Sequence, residues 1–313
     1  MALIVAIGLT GCGSSSDSSN GSLSGTIRVD GSSTVFPISQ AIAEEFMAKN
    51  SGVQVTVGES GTGGGFKKLI AGEIEIADAS REIKKPKDGI ASEAGKETEL
   101  ELLQAKGEEP LSFPIAFDGI TLVINKKNTF ATEMTVDELK KIWQKDSTVK
   151  NWSDVRAGWP NEEIKLYGPG TASGTFDFFT KAINGVEKES RADYTQSEDD
   201  NVLVKGVQGD EFSLGYFGFA YYEENKDKLT AVKVKLDDAT AAVEPSIDSI
   251  KSGAYKPLSR KLFVYTTKNA LKKPEVKAFL QYYNSPDAQK LIDFVKSIHL
   301  PAEDYEANLK LLQ

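Results

Sequence analysis

The 313-residue chain contains one cysteine, Cys12, and one histidine, His299. A lone cysteine excludes an intramolecular disulfide and any cysteine-based metal cluster. With one histidine near the C-terminus there is no Ser-His-Asp or Cys-His arrangement and no metal-ligand spacing. A phosphatase would need an activated nucleophile or two metals, and a serine in an anion cradle lacks a base. The sequence therefore points to no enzyme, no cofactor and no metal. Cations are in deficit too: 37 Lys and Arg stand against 46 Asp and Glu, a formal net charge of −9. Nucleic-acid binding relies on cations that neutralise phosphates, so this balance argues against it. A small anion is not excluded, because neutral dipoles and one guanidinium can hold it. No apolar run reaches the roughly 20 residues of a transmembrane helix, and no internal repeat is present.

What is present is the composition of a folded soluble protein, 40% hydrophobic and 27% charged, at a length suited to two lobes. The N-terminus is distinct. Ala2 to Leu9 is a short apolar run, followed by Leu9-Thr10-Gly11-Cys12 and then a stretch of mainly Ser, Gly, Asn and Asp to Ser24. This resembles a bacterial lipoprotein signal with its lipobox cysteine and flexible tether. The positive start that usually opens such a signal is missing here. The resemblance implies lipidation at Cys12, residues 1–25 as signal and tether, and an extracytoplasmic protein anchored to the cytoplasmic membrane, periplasmic or at the cell surface.

Three short runs of glycine and hydroxyl residues each fall where an extended segment passes into a helical one. They are Gly31-Ser32-Ser33-Thr34, Ser60-Gly61-Thr62-Gly63-Gly64-Gly65 and Thr171-Ala172-Ser173-Gly174-Thr175. Each offers free backbone N–H groups and a hydroxyl at a positive helix end, which is how oxyanions are held. One such loop is an ordinary turn; three suggest converging ligands. Ser60 to Gly65 is not a nucleotide P-loop, since Phe66-Lys67-Lys68 replaces the required Gly-Lys-Ser/Thr.

The surrounding pattern predicts α/β structure. Thr26 to Asp30, Gln54 to Val57 and Gly72 to Ala77 read as strands, with helices after the first two loops. Function is expected at the strand C-termini, including Asp78-Ala79-Ser80-Arg81. Phe113 to Asn125 and Leu262 to Thr266 read as strands crossing between lobes. Thr135 and Glu138 are spaced for a capping box ahead of a helix to Trp143. Glu93 to Glu109 reads as a surface helix or excursion. Gly215 to Tyr222 reads as aromatic packing, and Leu229 to Leu236 as one strand. Helices over Pro274 to Tyr283 and Pro286 to Lys296 close the chain, with His299 in a helical tail.

The order and spacing of GSSTVFP (31–37), SGTGGGFKKL (60–69), ADASREIK (77–84), PIAFDGITLVIN (114–125), TVDELKKIW (135–143), YGPGTASGTFDFF (167–179) and YKPLSRKLFVY (255–265) resemble the phosphate-binding lipoproteins of Pst-type ABC importers. The likeness covers nearly the whole mature chain. It implies a two-lobed α/β protein of the type II periplasmic-binding-protein fold, with two crossing hinge strands. Lobe 1 would be 26–115 plus 264–313, and lobe 2 would be 116–263. The implied function is capture of inorganic phosphate between the lobes and delivery to a permease and ATPase complex, by a protein expected to be monomeric. Other readings are a different tetrahedral oxyanion (sulfate, molybdate or tungstate) or a sensor or adhesion lipoprotein of the same fold.

The same resemblance places the anion on Ser33, Thr34, Val35, Ser60 with the nearby amides of Gly61 to Gly63, Ser80, Ser173, Gly174 and Thr175. Better-known members carry an arginine four positions before the third-loop serine, where this chain has Pro169, and many have an aspartate where Thr171 and Ala172 stand. Arg81, beside Ser80, is expected to supply the missing cation. Phosphate keeps a proton near neutral pH and sulfate does not, so a carboxylate facing the ligand would select phosphate. The family's usual carboxylate aligns near Ser80, leaving Asp78, Asp118 and Asp177 as possible acceptors. Asp78 would equally suit an ion pair with Arg81, Asp118 an Asp-Gly turn, and Asp177 the dipole of its helix.

Overall fold

The computed structural model describes residues 23–313. Cys12 and the signal-like segment lie outside the described residues. No described helix is long and apolar enough to cross a membrane.

The first segment alternates as a strand should and forms β1 (Gly25–Gly31), with Ile27 and Val29 buried. It runs through Ser32–Val35 into α1 (Phe36–Lys49), whose Pro37 sits in the first turn, where a missing N–H costs nothing. Next come β2 (Val53–Glu59) and α2 (Gly61–Ala71), then β3 (Ile76–Ala79). β3 starts later than the pattern predicts. Gly72 ends α2 in the left-handed conformation (φ 77°), and Glu73 to Glu75 make the turn back to β1, with Glu75 N–H donating to Arg28 O at 3.1 Å.

The charged excursion holds one short helix, α3 (Glu99–Ala105), closed by a capping box between Thr98 and Glu101. A single strand, β4 (Pro110–Asn125), then carries the chain onward; Asp118-Gly119 lies inside it and makes no turn. After it come β5 (Glu133–Thr135), α4 (Val136–Trp143), α5 (Trp152–Val155), β6 (Lys165–Gly168) and α6 (Gly174–Phe179). The predicted capping box at α4 is formed: Glu138 N–H donates to Thr135 Oγ1 (3.1 Å) and Thr135 N–H to Glu138 Oε2 (2.9 Å). The chain continues through β7 (Thr195–Gln196), α7 (Asp200–Gly209), β8 (Ser213–Gly218) and α8 (Phe219–Asn225). The stretch expected as one strand is broken at Val232 into β9 (Leu229–Ala231) and β10 (Lys233–Lys235). β9 pairs with β4 and β10 with β5, so the two halves serve different sheets.

Beyond α9 (Ile247–Lys251), β11 (Ser259–Thr267) returns, followed by α10 (Pro274–Tyr283) and α11 (Pro286–Phe294). His299 lies in a two-residue strand, β12 (Ile298–His299), and not in a helix; a further helix, α12 (Ala302–Leu311), follows it. Pro301 stands between the two and cannot donate to either ladder.

The main sheet runs β2-β1-β3-β11-β4-β8-β6-β7. β1 is parallel to β2 and β3, while β11 is antiparallel to β3 and β4. β4 is the shared strand. Its first part, from Pro110 to Gly119, pairs with β11, and Ile120 to Ile124 pairs with β8. The aromatic run packs inside, as its pattern predicts: Tyr216 stacks on Phe179 with centroids 3.7 Å apart and meets Trp143 edge-on.

Candidate functional site

The first two loops and the end of β3 meet because parallel pairing of β1 with β2 and β3 brings their C-terminal ends side by side. They line a cleft of about 1060 Å³, together with residues of α6, the turn after it, and the start of β11. Ser33, Thr34, Ser60, Ser80, Arg81 and Asp177 stand on this wall, and so does Arg260. A water molecule's share of liquid volume is about 30 Å³, so the cavity far exceeds one tetrahedral oxyanion.

In the first loop, Ser32 N–H donates to Asp78 O (3.0 Å), while Val35 and Phe36 N–H both donate to Ser32 O. Val35 is wholly buried and its amide is engaged, so it leaves the expected ligand set. The loop's remaining donors are Ser33 and Thr34. In the second loop, Ser60 N–H donates to Gly31 O (3.0 Å) and its hydroxyl donates to Asp30 Oδ1. Ser60 thus has neither of the hydrogens expected of it, while the opening residues of α2, Gly61 to Gly63, line the cleft. Thr62 Oγ1 accepts Ser80 N–H at 3.1 Å and lies 3.1 Å from Ser80 Oγ, which joins the second loop to the end of β3.

The third loop sits differently. Ser173 Oγ accepts Thr175 N–H (3.1 Å) and caps α6. Ser173, Gly174 and Thr175 are not on the cavity wall. Gly174 instead lies against Thr34, which donates from Oγ1 to Gly174 O at 3.3 Å. A Cβ at Gly174 would come within 2.6 Å of Thr34 Oγ1, so this approach needs glycine. The two sides of the cleft already touch at its deep end.

Arg81 does not fill the cation role read from the sequence. Both its terminal nitrogens are held by Glu99, at 2.9 and 2.7 Å, and Nη1 also reaches Glu82 O. Burial works to raise Glu99, but the Arg81 and Lys84 hydrogen bonds prevail and hold it below its ordinary value. The cation at the deep end is Arg260, on β11. Its Nε donates to Asp118 Oδ2 (3.1 Å), its Nη2 to Thr34 Oγ1 (2.8 Å), and its guanidinium lies 3.7 Å from the centre of the Phe178 ring. Burial pulls its pKa below the usual value, opposed by the Asp118 charge. An arginine stays charged throughout. Sequence reasoning passed over Arg260 although its motif was in view; the one signal was a charged pair, Arg260-Lys261, opening an otherwise apolar strand.

The three acidic candidates separate cleanly. Asp78 is fully buried beneath the first loop, where Oδ1 accepts Ser39 Oγ–H at 2.8 Å and Ser39 Oγ lies 2.8 Å from Tyr283 OH. It makes no pair with Arg81 and is off the cleft. Burial pushes it up to about 7, against the Ser39 hydrogen bond and with help from the Asp30 charge. Asp118 is taken by Arg260. Asp177 lies on the wall, with Oδ2 3.4 Å from Lys188 Nζ and at a long 3.5 Å from Ser33 Oγ, while Oδ1 has no partner. Burial raises Asp177 above its ordinary value, the Lys188 charge opposing.

A mixed sheet of two lobes joined through shared strands, with helix-start amides and a guanidinium around one cleft, defines a hinged anion-binding protein. The sequence profile of the PBP superfamily domain matches residues 16–287. Protein SphX of Synechococcus elongatus is 46% identical over 283 residues, covering 90% of this chain and 79% of the relative. The phosphate-binding protein PstS of Staphylococcus saprophyticus is 39% identical over 302 residues, covering 95% and 87%. A crystal structure described as a possible phosphate-binding protein from Planctomyces limnophilus superposes with a TM-score of 0.87 at 52% identity, covering 93% of this chain and 98% of that one. The chain belongs to the PBP superfamily and, within it, to the family of SphX and PstS proteins.

Proposed function

We propose that this protein captures inorganic phosphate in the cleft and delivers it to an ABC importer, binding without catalysis. The observation that carries the reading is the convergence of the Ser33–Thr34 loop, the α2 amides and the buried guanidinium of Arg260 on one cavity. The names of the SphX and PstS relatives and of the Planctomyces structure support phosphate as the anion. Lobe 1, taken as 26–115 with 264–313, brings Ser33, Thr34, the Gly61 to Gly63 amides and Ser80. Lobe 2, taken as 116–263, brings Ser173, Gly174, Thr175 and Asp177. Arg260, within lobe 2 by these bounds, lies on the crossing strand β11 and reaches Thr34 of lobe 1. The anion enters where Thr34 now meets Gly174 and takes over from Thr34 as acceptor for Arg260. Only the closed arrangement makes both sets of contacts, so binding shifts the hinge toward closure. Lipid anchoring through Cys12, a monomeric state and docking on a permease complete the proposal.

Of the three carboxylates, Asp177 alone stands on the cleft wall, and we assign it as the direct hydrogen-bond acceptor for the phosphate hydroxyl. Calorimetric titration with phosphate and then sulfate tests the reading. Phosphate binding with sulfate silent supports it, and Asp177→Asn then narrows the preference about tenfold, the value of one unmatched buried contact. Sulfate or molybdate binding in place of phosphate overturns the ligand. Silence toward every oxyanion favours the sensor or adhesion role.

A further inference from the structure

Ser60 reaches the cleft with its hydrogens already committed. Its N–H is held by Gly31 O and its hydroxyl by Asp30 Oδ1, yet the residue is exposed on the cavity wall. Asp30 is 9% exposed, and its other oxygen takes Lys68 Nζ at 2.5 Å. An ammonium only donates, and a carboxylate has no proton to give, so the proton between Asp30 and Ser60 is Ser60's own.

Two close approaches make room for this pair. A Cβ at Gly58 would come within 2.3 Å of Asp30 Oδ2, and one at Gly64 within 2.4 Å of Ser60 Oγ. Glycine at both places leaves room for the carboxylate and the hydroxyl to sit against the backbone. What Ser60 Oγ has left for the cleft is lone pairs.

We propose that Ser60 meets the bound anion as an acceptor: with its own proton held by Asp30, its Oγ accepts a hydrogen bond from the hydroxyl of hydrogen phosphate. Asp30 is then a positioning residue that favours protonated over fully deprotonated oxyanions without touching the ligand. Sulfate, having no proton, would set an oxygen against the Ser60 lone pairs, a buried mismatch that weakens binding. Asp177 acts directly from the opposite wall and Ser60 from lobe 1, so dihydrogen phosphate satisfies both acceptors and the monohydrogen form satisfies one. This inference rests on the phosphate reading.

The test is calorimetric titration of the full chain with inorganic phosphate and with sulfate, for the wild type, Asp30→Asn and Ser60→Ala. In Asp30→Asn, Lys68 still requires an acceptor, so the amide oxygen turns to Lys68 and the NH₂ group to Ser60. Ser60 then accepts from the amide and points its own hydrogen into the cleft. The expected result is a phosphate-to-sulfate affinity ratio that falls about 10- to 100-fold, with sulfate binding gained outright. Ser60→Ala, which leaves Asp30 and Lys68 paired, lowers the ratio by weakening phosphate and by relieving the mismatch against sulfate. A ratio unchanged in both variants, with wild-type phosphate binding intact, overturns this inference and leaves the phosphate reading standing. A wild type that binds no phosphate overturns both. Should Asp30→Asn fail to fold, Ser60→Ala decides the matter alone.

Discussion

The cleft has a floor and a rim, and each holds an arginine against a carboxylate and an aromatic face. At the rim, Arg81 is gripped by Glu99 and lies 5.3 Å from the centre of the Phe66 ring. At the floor, Arg260 pairs with Asp118, lies over Phe178 and also reaches Thr34. The two differ in setting more than in chemistry. Arg81 has 36% of its side chain exposed and both its nitrogens occupied from its own side of the cleft; Arg260 has 18% exposed and contacts groups from both sides. The carboxylates follow suit: Glu99 is held below its ordinary value at the rim, while Asp78 beneath the floor is pushed up to about 7. A charge that touches both lobes where water is scarce can couple an anion to closure. A charge satisfied locally at the rim cannot.

Removing the floor cation is expected to have the largest effect. Arg260→Ala deletes the guanidinium and leaves Asp118 unpaired beside an incoming anion. Truncating one partner of a buried, hydrogen-bonded charge contact to a ligand costs about 2–5 kcal/mol, so phosphate affinity falls on the order of 100- to 1000-fold in calorimetric titration. Arg260→Lys keeps the charge but not the fork or the stacking on Phe178, and falls about 30- to 100-fold. If Arg260→Lys binds as the wild type does, a point charge suffices and the floor is no more specific than the rim.

The sequence made one of these regions legible and hid the other. The glycine and hydroxyl loops could be read because each is a contiguous run at a strand-to-helix junction, where the helix-start amides are free by geometry. Arg81 was visible for the same reason, at the end of β3. Its partner was not, because Glu99 sits on an excursion that no local pattern ties to the loop. Arg260 belongs to a crossing strand read only as apolar, and 226 residues separate it from Thr34. Ser60's true polarity was equally hidden, since it depends on Asp30, 30 residues earlier, and on Lys68. The fold itself came through well, as hydrophobic alternation and caps are local. Its misses included the late start of β3, the helix α7, the break at Val232, the strand at His299 and the C-terminal helix α12.

Floor and rim also part company in their response to pH. The folded-state pKa of Asp78 lies above its unfolded value of 3.8, so the folded protein holds a proton that the unfolded chain has released. Stability is therefore greatest below about pH 4 with respect to this group and falls as pH rises toward 7. The full penalty, reached above pH 7, is on the order of 4 kcal/mol. Asp78→Asn removes that slope, and urea denaturation at pH 5 and pH 8 measures it. Glu99 has the opposite sign: its lowered pKa contributes stability above the unfolded value of 4.5, lost as pH falls through the folded one. A stability that rises between pH 5 and pH 8 in the wild type would sink the contrast.

The smallest effect is expected at the rim itself. Arg81 is about a third exposed and its charge is already matched by the half-buried Glu99, so little of it is left for the anion. Arg81→Ala should leave phosphate affinity within about fivefold of the wild type. Its influence is on encounter, because a rim cation steers an anion toward a chain whose net charge is −9. The association rate should fall severalfold at low salt and converge with the wild type as salt is raised, because screening removes the steering term. Stopped-flow mixing at two ionic strengths reads this directly. If the affinity loss approaches that of Arg260→Ala and persists in high salt, then Arg81 leaves Glu99 to hold the anion. The rim would then be part of the binding site, and the division between the two arginines would fall.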